Sequence, residues 1–349
     1  MRRGASGQSG NDFWNRSRKA TRIHAHGGPE ALVADDGEIA DPGPGDVRVR
    51  HTAIALNFSD INVRRGGFYQ QEPMPMPLIP GNEAAGVVAS VGDGVTDWRV
   101  GDRVAYAGMH GPFYRNTGAY AQERNVPADR LVAIPECVSD RVACGLLLKG
   151  ATAASIIERI FPPREGQTIL VHAAASGVGS ILTRWAAHLG AIVIGTVGNR
   201  DKARAALANG AAHAILYREQ DFVTQVKKIA PLGVHAVFDG VGKDTFVRSF
   251  DCTAPFGTLV NYGNASGHVP PIDMIDLAQK GSLSICRPAV SYFLNDAARL
   301  RAVAERLFAL VQSGVLAVDI AATYRLEDVA QAHRDAEAGK HAGSVVLLP

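Results

Sequence analysis

The 349-residue sequence is short of cysteine, of charge of one sign and of long apolar runs. Its four cysteines are far apart and show no C-x-x-C spacing. They imply neither a zinc site nor a disulfide framework, and they fit a reducing, cytoplasmic setting. Lys and Arg number 36 against 34 Asp and Glu without a block of like charge, so nothing favours a nucleic-acid or membrane-surface partner. The apolar runs are too short to cross a membrane.

The first residues differ in composition from the rest of the chain. Residues 1–19 are polar and basic, are rich in Gly and Ser, and lack the apolar core of a secretory signal. A transit peptide stays open as an alternative. We predict a disordered extension over residues 1–20, followed by a chain whose length and 46% hydrophobic content suit about two domains.

The most informative segment, residues 167–202, has the pattern strand, tight turn, helix, strand. Thr168–His172 is an apolar, β-branched run, and Ala174 to Gly179 then forms a turn of small residues. Ser180–Leu189 has helical spacing, and Ile192–Val197 is a second apolar strand. Small residues at such a turn let the backbone approach a pyrophosphate, which the N–H groups at the helix start would bind.

The residues after the second strand indicate which dinucleotide binds. An NAD site needs a carboxylate about 20 residues past the glycines to hold the ribose 2′-hydroxyl. Here Gly198 is followed by Asn199, Arg200, Asp201 and Lys202. A glycine followed by cations suits a 2′-phosphate, so the sequence predicts NADPH.

The chain changes its pattern near residue 140. Before it, strand-like runs alternate with Gly and Pro turns, which predicts a small β-rich, barrel-like unit. After it, strands and helices alternate in the βαβ order of a doubly wound parallel sheet. We expect an α/β protein that combines the two. The main expected strands and helices of the second part are Asp140–Arg159, Ala214–Leu216, Asp221–Ile229, Ala236–Asp239, a helix from Thr245, Gly257–Tyr262, Leu283–Cys286, Asp296–Ser313, Ile320–Tyr324, Leu326–Ala338 and Ser344–Leu348.

With these motifs in place, the sequence resembles the medium-chain dehydrogenases/reductases, and most of all their zinc-free NADPH:quinone oxidoreductase (ζ-crystallin-like) branch. The resemblance covers about residues 21–349. It implies a GroES-like catalytic domain over 21–148 and 288–349 and a Rossmann NADPH-binding domain over 149–287. The motifs that carry it are Asn57-Phe58-Ser59-Asp60, Gly81-Asn82-Glu83-Ala84-Ala85-Gly86, Val100-Gly101-Asp102-Arg103-Val104, Lys149-Gly150-Ala151-Thr152-Ala153, residues 172–179, Gly195-Thr196-Val197-Gly198, Tyr262-Gly263-Asn264-Ala265-Ser266-Gly267 and Arg287-Pro288.

The resemblance also implies the cofactor-binding residues. The pyrophosphate would lie on the backbone of Ser176, Gly177, Val178 and Gly179, and the 2′-phosphate beside Gly198, Lys202 and Tyr217. Relatives often add an Arg to this phosphate, where the present chain has Gly339 with Lys340 beside it. Further cofactor-binding residues implied by the resemblance are Asn57, Lys149, Thr152, Tyr262, Gly263 and Asn264.

Catalysis is expected to need no metal. The resemblance places Asn57 and Tyr69 at the nicotinamide and the substrate mouth as the catalytic residues. Zinc-dependent relatives have Gly-His-Glu where this chain has Gly81-Asn82-Glu83, and a Cys ligand near Asn57. An amide is a poor substitute for imidazole or thiolate at a catalytic zinc, so we expect no metal site.

The expected reaction is hydride transfer from NADPH to a quinone or a related conjugated carbonyl, with the proton from solvent or a hydroxyl such as that of Tyr69. Reduction of an enone or a 2-enoyl thioester stays open, and so does a non-catalytic, crystallin-like NADPH-binding module. The segment 107–118 is expected to be a loop near the substrate mouth. The apolar strand Leu283–Cys286 is expected to end the cofactor sheet and, as in relatives, to pair with its two-fold mate in a homodimer.

Overall fold

The computed structural model describes residues 18–67, 74–111 and 116–349. The strands are β1 Arg18–Arg22, β2 Val33–Gly37, β3 Asp46–Leu56, β4 Glu83–Val91, β5 Arg103–Ala107, β6 Glu123–Pro127, β7 Val132–Ala133, β8 Thr168–His172, β9 Ile192–Val197, β10 His213–Leu216, β11 Val234–Asp239, β12 Thr253–Asn261, β13 Ser284–Cys286, β14 Ile320–Arg325 and β15 Ser344–Leu348. The helices are α1 Phe58–Arg65, α2 Asp140–Ser155, α3 Gly177–His188, α4 Arg200–Ala208, α5 Phe222–Ile229, α6 Met274–Gln279, α7 Val290–Phe293, α8 Ala297–Gln312 and α9 Val329–Glu337.

A six-stranded parallel sheet forms the centre of the second part of the chain. Its strand order is β10-β9-β8-β11-β12-β13, which confirms the predicted doubly wound sheet. β8 lies in the middle because Ile169, Leu170 and Val171 are fully buried and can be covered by helices on both faces. The strand order reverses between β8 and β11. Ligands of such sheets bind outside the carboxyl ends of the strands at this reversal.

A second sheet confirms the predicted β-rich unit. It runs β14-β15-β3-β4-β5-β7, and β6 pairs with β3. Strands from residues 46–133 therefore share one sheet with β14 and β15. These two strands follow, in sequence, the six-stranded parallel sheet, which we call the cofactor sheet. Through the antiparallel pairing of β15 with β3, the last strand of the chain joins the sheet of the β-rich unit.

Helix α2 lies between the sheet of the β-rich unit and the helices α3 and α8. On one side it packs against β3, β4, β5 and β15, and on the other against α3 and α8. Two glycines allow this close packing: a Cβ at Gly145 would lie 3.2 Å from Ile320, and one at Gly150 would lie 2.8 Å from Leu307. The expected boundary between residues 148 and 149 falls inside this helix. We keep the two-domain division as a proposal, with α2 as an element shared by both domains.

Two parts of the structure differ from the sequence-based expectation. The helix expected from Thr245 is a 3₁₀ helix over Val247–Cys252, because Ser249 and Thr253 use their hydroxyls to bond backbone carbonyls of the preceding turn. Helix α1 was not predicted, since it lacks an apolar stripe; it begins where the Asp60 carboxylate accepts the Asn57 N–H at 2.9 Å.

Several expectations fall at the edges of the described residues. Of the extension expected over residues 1–20, residues 1–17 lie outside them, whereas residues 18–20 belong to β1. Of the expected loop 107–118, residues 112–115 lie outside them. Among the helices of the described residues, none has the length and apolar character needed to cross a membrane.

Candidate active site at the carboxyl edge of the cofactor sheet

The turn after β8 has the geometry of a phosphate-binding turn. Ser176 precedes α3 as its N-cap, and its hydroxyl accepts the Gly179 N–H at 3.1 Å. The other N–H groups of the first turn have no partner in a helix and are available to an anion. Ser176 also pairs with Gly343, just before β15, so the turn is bound to the β-rich unit as well.

Two glycines near this turn permit close packing. A Cβ at Gly179 would lie 2.2 Å from the carbonyl oxygen of Ala173, and one at Gly195 would lie 2.7 Å from the Ala174 side chain. Neither position has room for a side chain. The small residues of the predicted motif therefore hold β8, the turn and β9 together.

Gly198 and Tyr217 meet at the ends of β9 and β10, and Lys202 on α4 lies near Arg218, which follows Tyr217. A Cβ at Gly198 would lie 3.0 Å from the Tyr217 hydroxyl and 3.5 Å from Nε of Arg218. Burial, and then the Arg218 guanidinium, lower the pKa of Lys202. Two cations thus lie side by side around a glycine, which is an arrangement suited to a phosphate group.

Gly339, at the place where the resemblance implied an Arg, lies against the same cluster. Its carbonyl oxygen accepts the Lys202 ammonium at 2.6 Å. The neighbouring Lys340 pairs with Asp335 at 2.5 Å. The C-terminal segment therefore contributes a carbonyl that orients Lys202 here, rather than a guanidinium.

Residues 262–264 lie after β12, near the phosphate turn. The Tyr262 hydroxyl donates to the His172 carbonyl at 3.5 Å, and burial raises the pKa of Tyr262. Gly263 has no room for a Cβ, which would lie 2.6 Å from the Gly240 carbonyl oxygen. The Arg287 guanidinium donates to Asn264 at 3.1 Å and to the Gly263 carbonyl at 3.4 Å. Arg287 thus holds this expected nicotinamide-lining segment in place.

A buried polar cluster from the β-rich unit faces the phosphate turn. Glu83 accepts the Asn57 amide at 2.8 Å and the Lys149 ammonium at 3.0 Å on Oε1, and the Leu148 N–H at 2.7 Å on Oε2. The Lys149 stem passes beside Gly177, where a Cβ would lie 2.8 Å from its Cδ. Asn57 and Lys149 are therefore brought together, next to the cofactor turn. The Thr152 hydroxyl instead donates to the Leu148 carbonyl within α2.

A directed chain of hydrogen bonds supports this cluster from behind. Arg64 can only donate, so Nδ1 of His333 accepts from it at 3.4 Å. His333 then donates through Nε2 to the Tyr120 hydroxyl at 3.0 Å, and Tyr120 donates to Asp60 at 3.2 Å. Burial raises the pKa of Asp60 to about 6 and lowers that of His333 to about 3. Asp60 thus accepts hydrogen bonds from the Asn57 N–H, the Asn82 amide and the Tyr120 hydroxyl, which is a structural role.

The amides of this cluster do not fit a zinc ion. Asn82 donates to Asp60 at 2.6 Å, and Asn57 donates to Glu83. Glu83, the carboxylate that accepts the Asn57 side-chain amide, already neutralises the Lys149 ammonium. Within the described ranges, no three His, Cys, Asp or Glu side chains are grouped as metal ligands would be. Side-chain amides beside a fixed ammonium are poor ligands for a metal cation.

Tyr69, the second expected catalytic residue, lies outside the described residues. Three other residues of the site had been given no role from the sequence: Glu83, Arg218 and Arg287. Glu83 and Arg287 were visible only as members of short motifs. Arg218 directly follows Tyr217, and its position next to an expected phosphate ligand was the available signal.

Comparison with known proteins agrees with this architecture. Residues 43–136 match the alcohol dehydrogenase GroES-like domain, and residues 177–308 match the zinc-binding dehydrogenase family. The chain is 41% identical to a 2-haloacrylate reductase of a Burkholderia species over 95% of this chain and 98% of the relative. It is 40% identical to quinone oxidoreductase 1 of Escherichia coli over 95% and 100%. The crystal structure of Escherichia coli quinone oxidoreductase complexed with NADPH superposes with a TM-score of 0.89 at 39% identity, over 95% of this chain and 100% of that one.

Proposed function

Since the chain belongs to the quinone oxidoreductase branch of the medium-chain dehydrogenases/reductases, we propose that it is an NADPH-dependent reductase of quinones. The observation that carries this proposal is the position of two clusters. The cation cluster of Lys202 and Arg218 lies at one end of the carboxyl edge of the cofactor sheet. The Asn57–Glu83–Lys149 cluster lies beside the phosphate turn.

The residues of the site fit NADPH. We propose that Ser176 to Gly179 bind its pyrophosphate through backbone N–H groups, and that Gly198, Lys202, Tyr217 and Arg218 surround its 2′-phosphate. Tyr262, Gly263 and Asn264, with Asn57, Lys149 and Thr152, would border the nicotinamide. The bound cofactor supplies the hydride, and the protein aligns the acceptor and excludes water.

A second acceptor class has support of its own. A relative that is 41% identical is a 2-haloacrylate reductase, an enzyme whose name specifies an activated carbon–carbon double bond. The same hydride donor serves a quinone and an activated alkene, since both accept a hydride into a conjugated system. We therefore propose enone or enoate reduction as the alternative activity of this site.

Turnover tests the proposed function. Purified protein treated with EDTA and dialysed is given NADPH with a series of quinones, with cyclohexenone and with crotonyl-CoA, and oxidation of NADPH is followed at 340 nm. We expect saturable turnover with quinones that survives chelation and is not increased by added zinc. Tight NADPH binding without turnover of any acceptor would instead indicate a binding module.

Cofactor preference is the first prediction. Because two cations flank Gly198, we expect NADPH to bind at least about tenfold more tightly than NADH, about 1.4 kcal/mol. Lys202→Ala should weaken NADPH binding and leave NADH binding almost unchanged, as measured by fluorescence titration. Lys228→Ala, which removes an exposed cation on α5, is the matched control. Equal affinities for the two nucleotides in the unaltered protein would contradict the prediction.

Dimerisation through the cofactor sheet is the second prediction. β13 ends that sheet, Ile285 on it is 39% exposed, and Phe256 on the neighbouring β12 is 80% exposed. An apolar edge strand of this kind favours pairing with a second copy. We expect a homodimer by light scattering coupled to size exclusion, and we expect Ile285→Lys to give monomers or aggregates. A mass near 37 kDa for the unaltered protein at micromolar concentration would refute the dimer.

The setting that we propose is cytoplasmic. All four cysteines are free thiols, two of them buried. Burial raises the pKa of the Cys252 thiol to about 12, which keeps it in the unreactive protonated form. These thiols suit a reducing compartment.

A further inference from the structure

Lys149 is a buried cation in the space between the two sheets. Its side chain is 8% exposed. It leaves α2, passes beside Gly177 at the phosphate turn, and ends at Glu83 of the β-rich unit. The ammonium therefore lies where a cofactor on the turn and an acceptor beside it would meet.

Glu83 fixes the position of this ammonium. Its carboxylate is fully buried and is held by three donors from separate places: the Asn57 amide, the Leu148 backbone N–H and Lys149 itself. These bonds fix the position of the carboxylate. The Glu83–Lys149 ion pair is therefore a dipole of fixed orientation, with the ammonium as its positive end.

The ammonium has more donors than the protein uses. It carries three N–H bonds. Glu83 accepts one, and no other acceptor for Lys149 lies within hydrogen-bond distance in residues 18–67, 74–111 and 116–349. Buried donors without an acceptor are unfavourable, so this geometry suits an oxygen atom supplied by a ligand.

We propose that Lys149 is a catalytic residue that donates a hydrogen bond to the carbonyl oxygen of the acceptor. This proposal rests on the proposed function. When bound, NADPH would supply a hydride, one proton with two electrons, to a carbon of the acceptor's conjugated system; the C–H bond of the reduced nicotinamide would break, and the nicotinamide would be left oxidised. The π electrons of the acceptor's carbonyl move to its oxygen, which becomes an oxyanion. Lys149 stabilises this oxyanion and keeps its own proton, and a proton from water then neutralises the product.

A fixed ammonium is well suited to this role, because a preorganised donor stabilises charge that develops in the transition state without reorganising. The benefit depends on the acceptor. A strongly oxidising quinone accepts hydride with little help, whereas a weak electrophile such as an enone needs its carbonyl polarised. A residue that only held the cofactor would affect all acceptors alike.

This difference gives the test. Lys149→Met is compared with the unaltered protein in single-turnover stopped-flow experiments, with quinones of graded reduction potential and with cyclohexenone. We expect the hydride-transfer rate to fall at least about a hundredfold for the weakest acceptor and only a few-fold for the strongest quinone. The dissociation constant for NADPH, from fluorescence titration, should change less than threefold.

Loss of the partner of a buried carboxylate can also destabilise the fold. The double variant Lys149→Met with Glu83→Gln avoids an unpaired buried charge, and it should show the same graded loss. An equal loss for every acceptor, no loss for any, or a large rise in the NADPH dissociation constant would overturn the role of Lys149. Absence of turnover in the unaltered protein would instead refute the proposed function.

Discussion

Replacing Gly179 with alanine will abolish high-affinity NADPH binding. The new Cβ would lie 2.2 Å from the carbonyl oxygen of Ala173, a backbone atom that cannot move without opening the turn. Ala173 itself has φ +55°, so this part of the turn has little freedom left. Opening the turn would move the N–H groups at the start of α3 away from the pyrophosphate. We expect affinity for NADPH to fall by about a hundredfold or more, about 2.7 kcal/mol.

Calorimetric titration with NADPH measures this loss, and circular dichroism checks that the variant is folded. Gly27→Ala is a suitable control, since a Cβ at Gly27 would make only ordinary contacts, the nearest at 3.5 Å to Ala31. A folded Gly179→Ala protein that binds NADPH within twofold of the original affinity would contradict the prediction. Such unchanged binding would show that the turn after β8 is not the phosphate site.

Replacing Glu337 with alanine will lower the free energy of unfolding more than replacing an exposed charged residue such as Arg65. Glu337 pairs at 2.5 Å with Arg64, whose side chain is 1% exposed, and at 2.7 Å with the half-exposed Arg65. Without Glu337, the Arg64 charge stays buried and unpaired. Loss of one partner of a buried pair costs about 3–5 kcal/mol of folding free energy.

Urea unfolding monitored by tryptophan fluorescence measures the loss. Arg65→Ala removes only the exposed partner and should cost less than about 1 kcal/mol. The double variant Arg64→Met with Glu337→Leu should recover most of the stability, because it leaves no buried charge behind. A Glu337→Ala protein as stable as Arg65→Ala would mean that water solvates Arg64 in the folded state.

The parts of the structure that the sequence predicts are those set by local pattern. The apolar run Thr168–His172 and the small residues after it determine a strand and a turn without help from the rest of the chain. Gly198, Lys202 and Tyr217 were grouped through the family resemblance, and the parallel pairing of β9 with β10 brings Gly198 and Tyr217 to one edge of the sheet.

The parts that could not be predicted depend on long-range pairing of polar residues. Arg64 and Glu337 are 273 residues apart, and neither belongs to a motif. Glu83 acquires its role only when β4 packs against α2 and brings Lys149 within 3.0 Å. Helix α1 is stabilised by buried polar side chains, such as Asp60 and Arg64, which a search for apolar periodicity passes over.

The shared helix α2 has a practical consequence for building chimaeras from relatives. The helix packs against β3, β4 and β5, and it carries Lys149 and Gly150 towards the phosphate turn and Leu307. A crossover at the expected boundary between residues 148 and 149 would join two half-helices that were never selected to fit each other. A crossover at residues 134–139 would keep α2 whole but separate Lys149 from the parental Glu83. Exchange of cofactor domains should therefore transfer α2 together with Glu83 and Asn57.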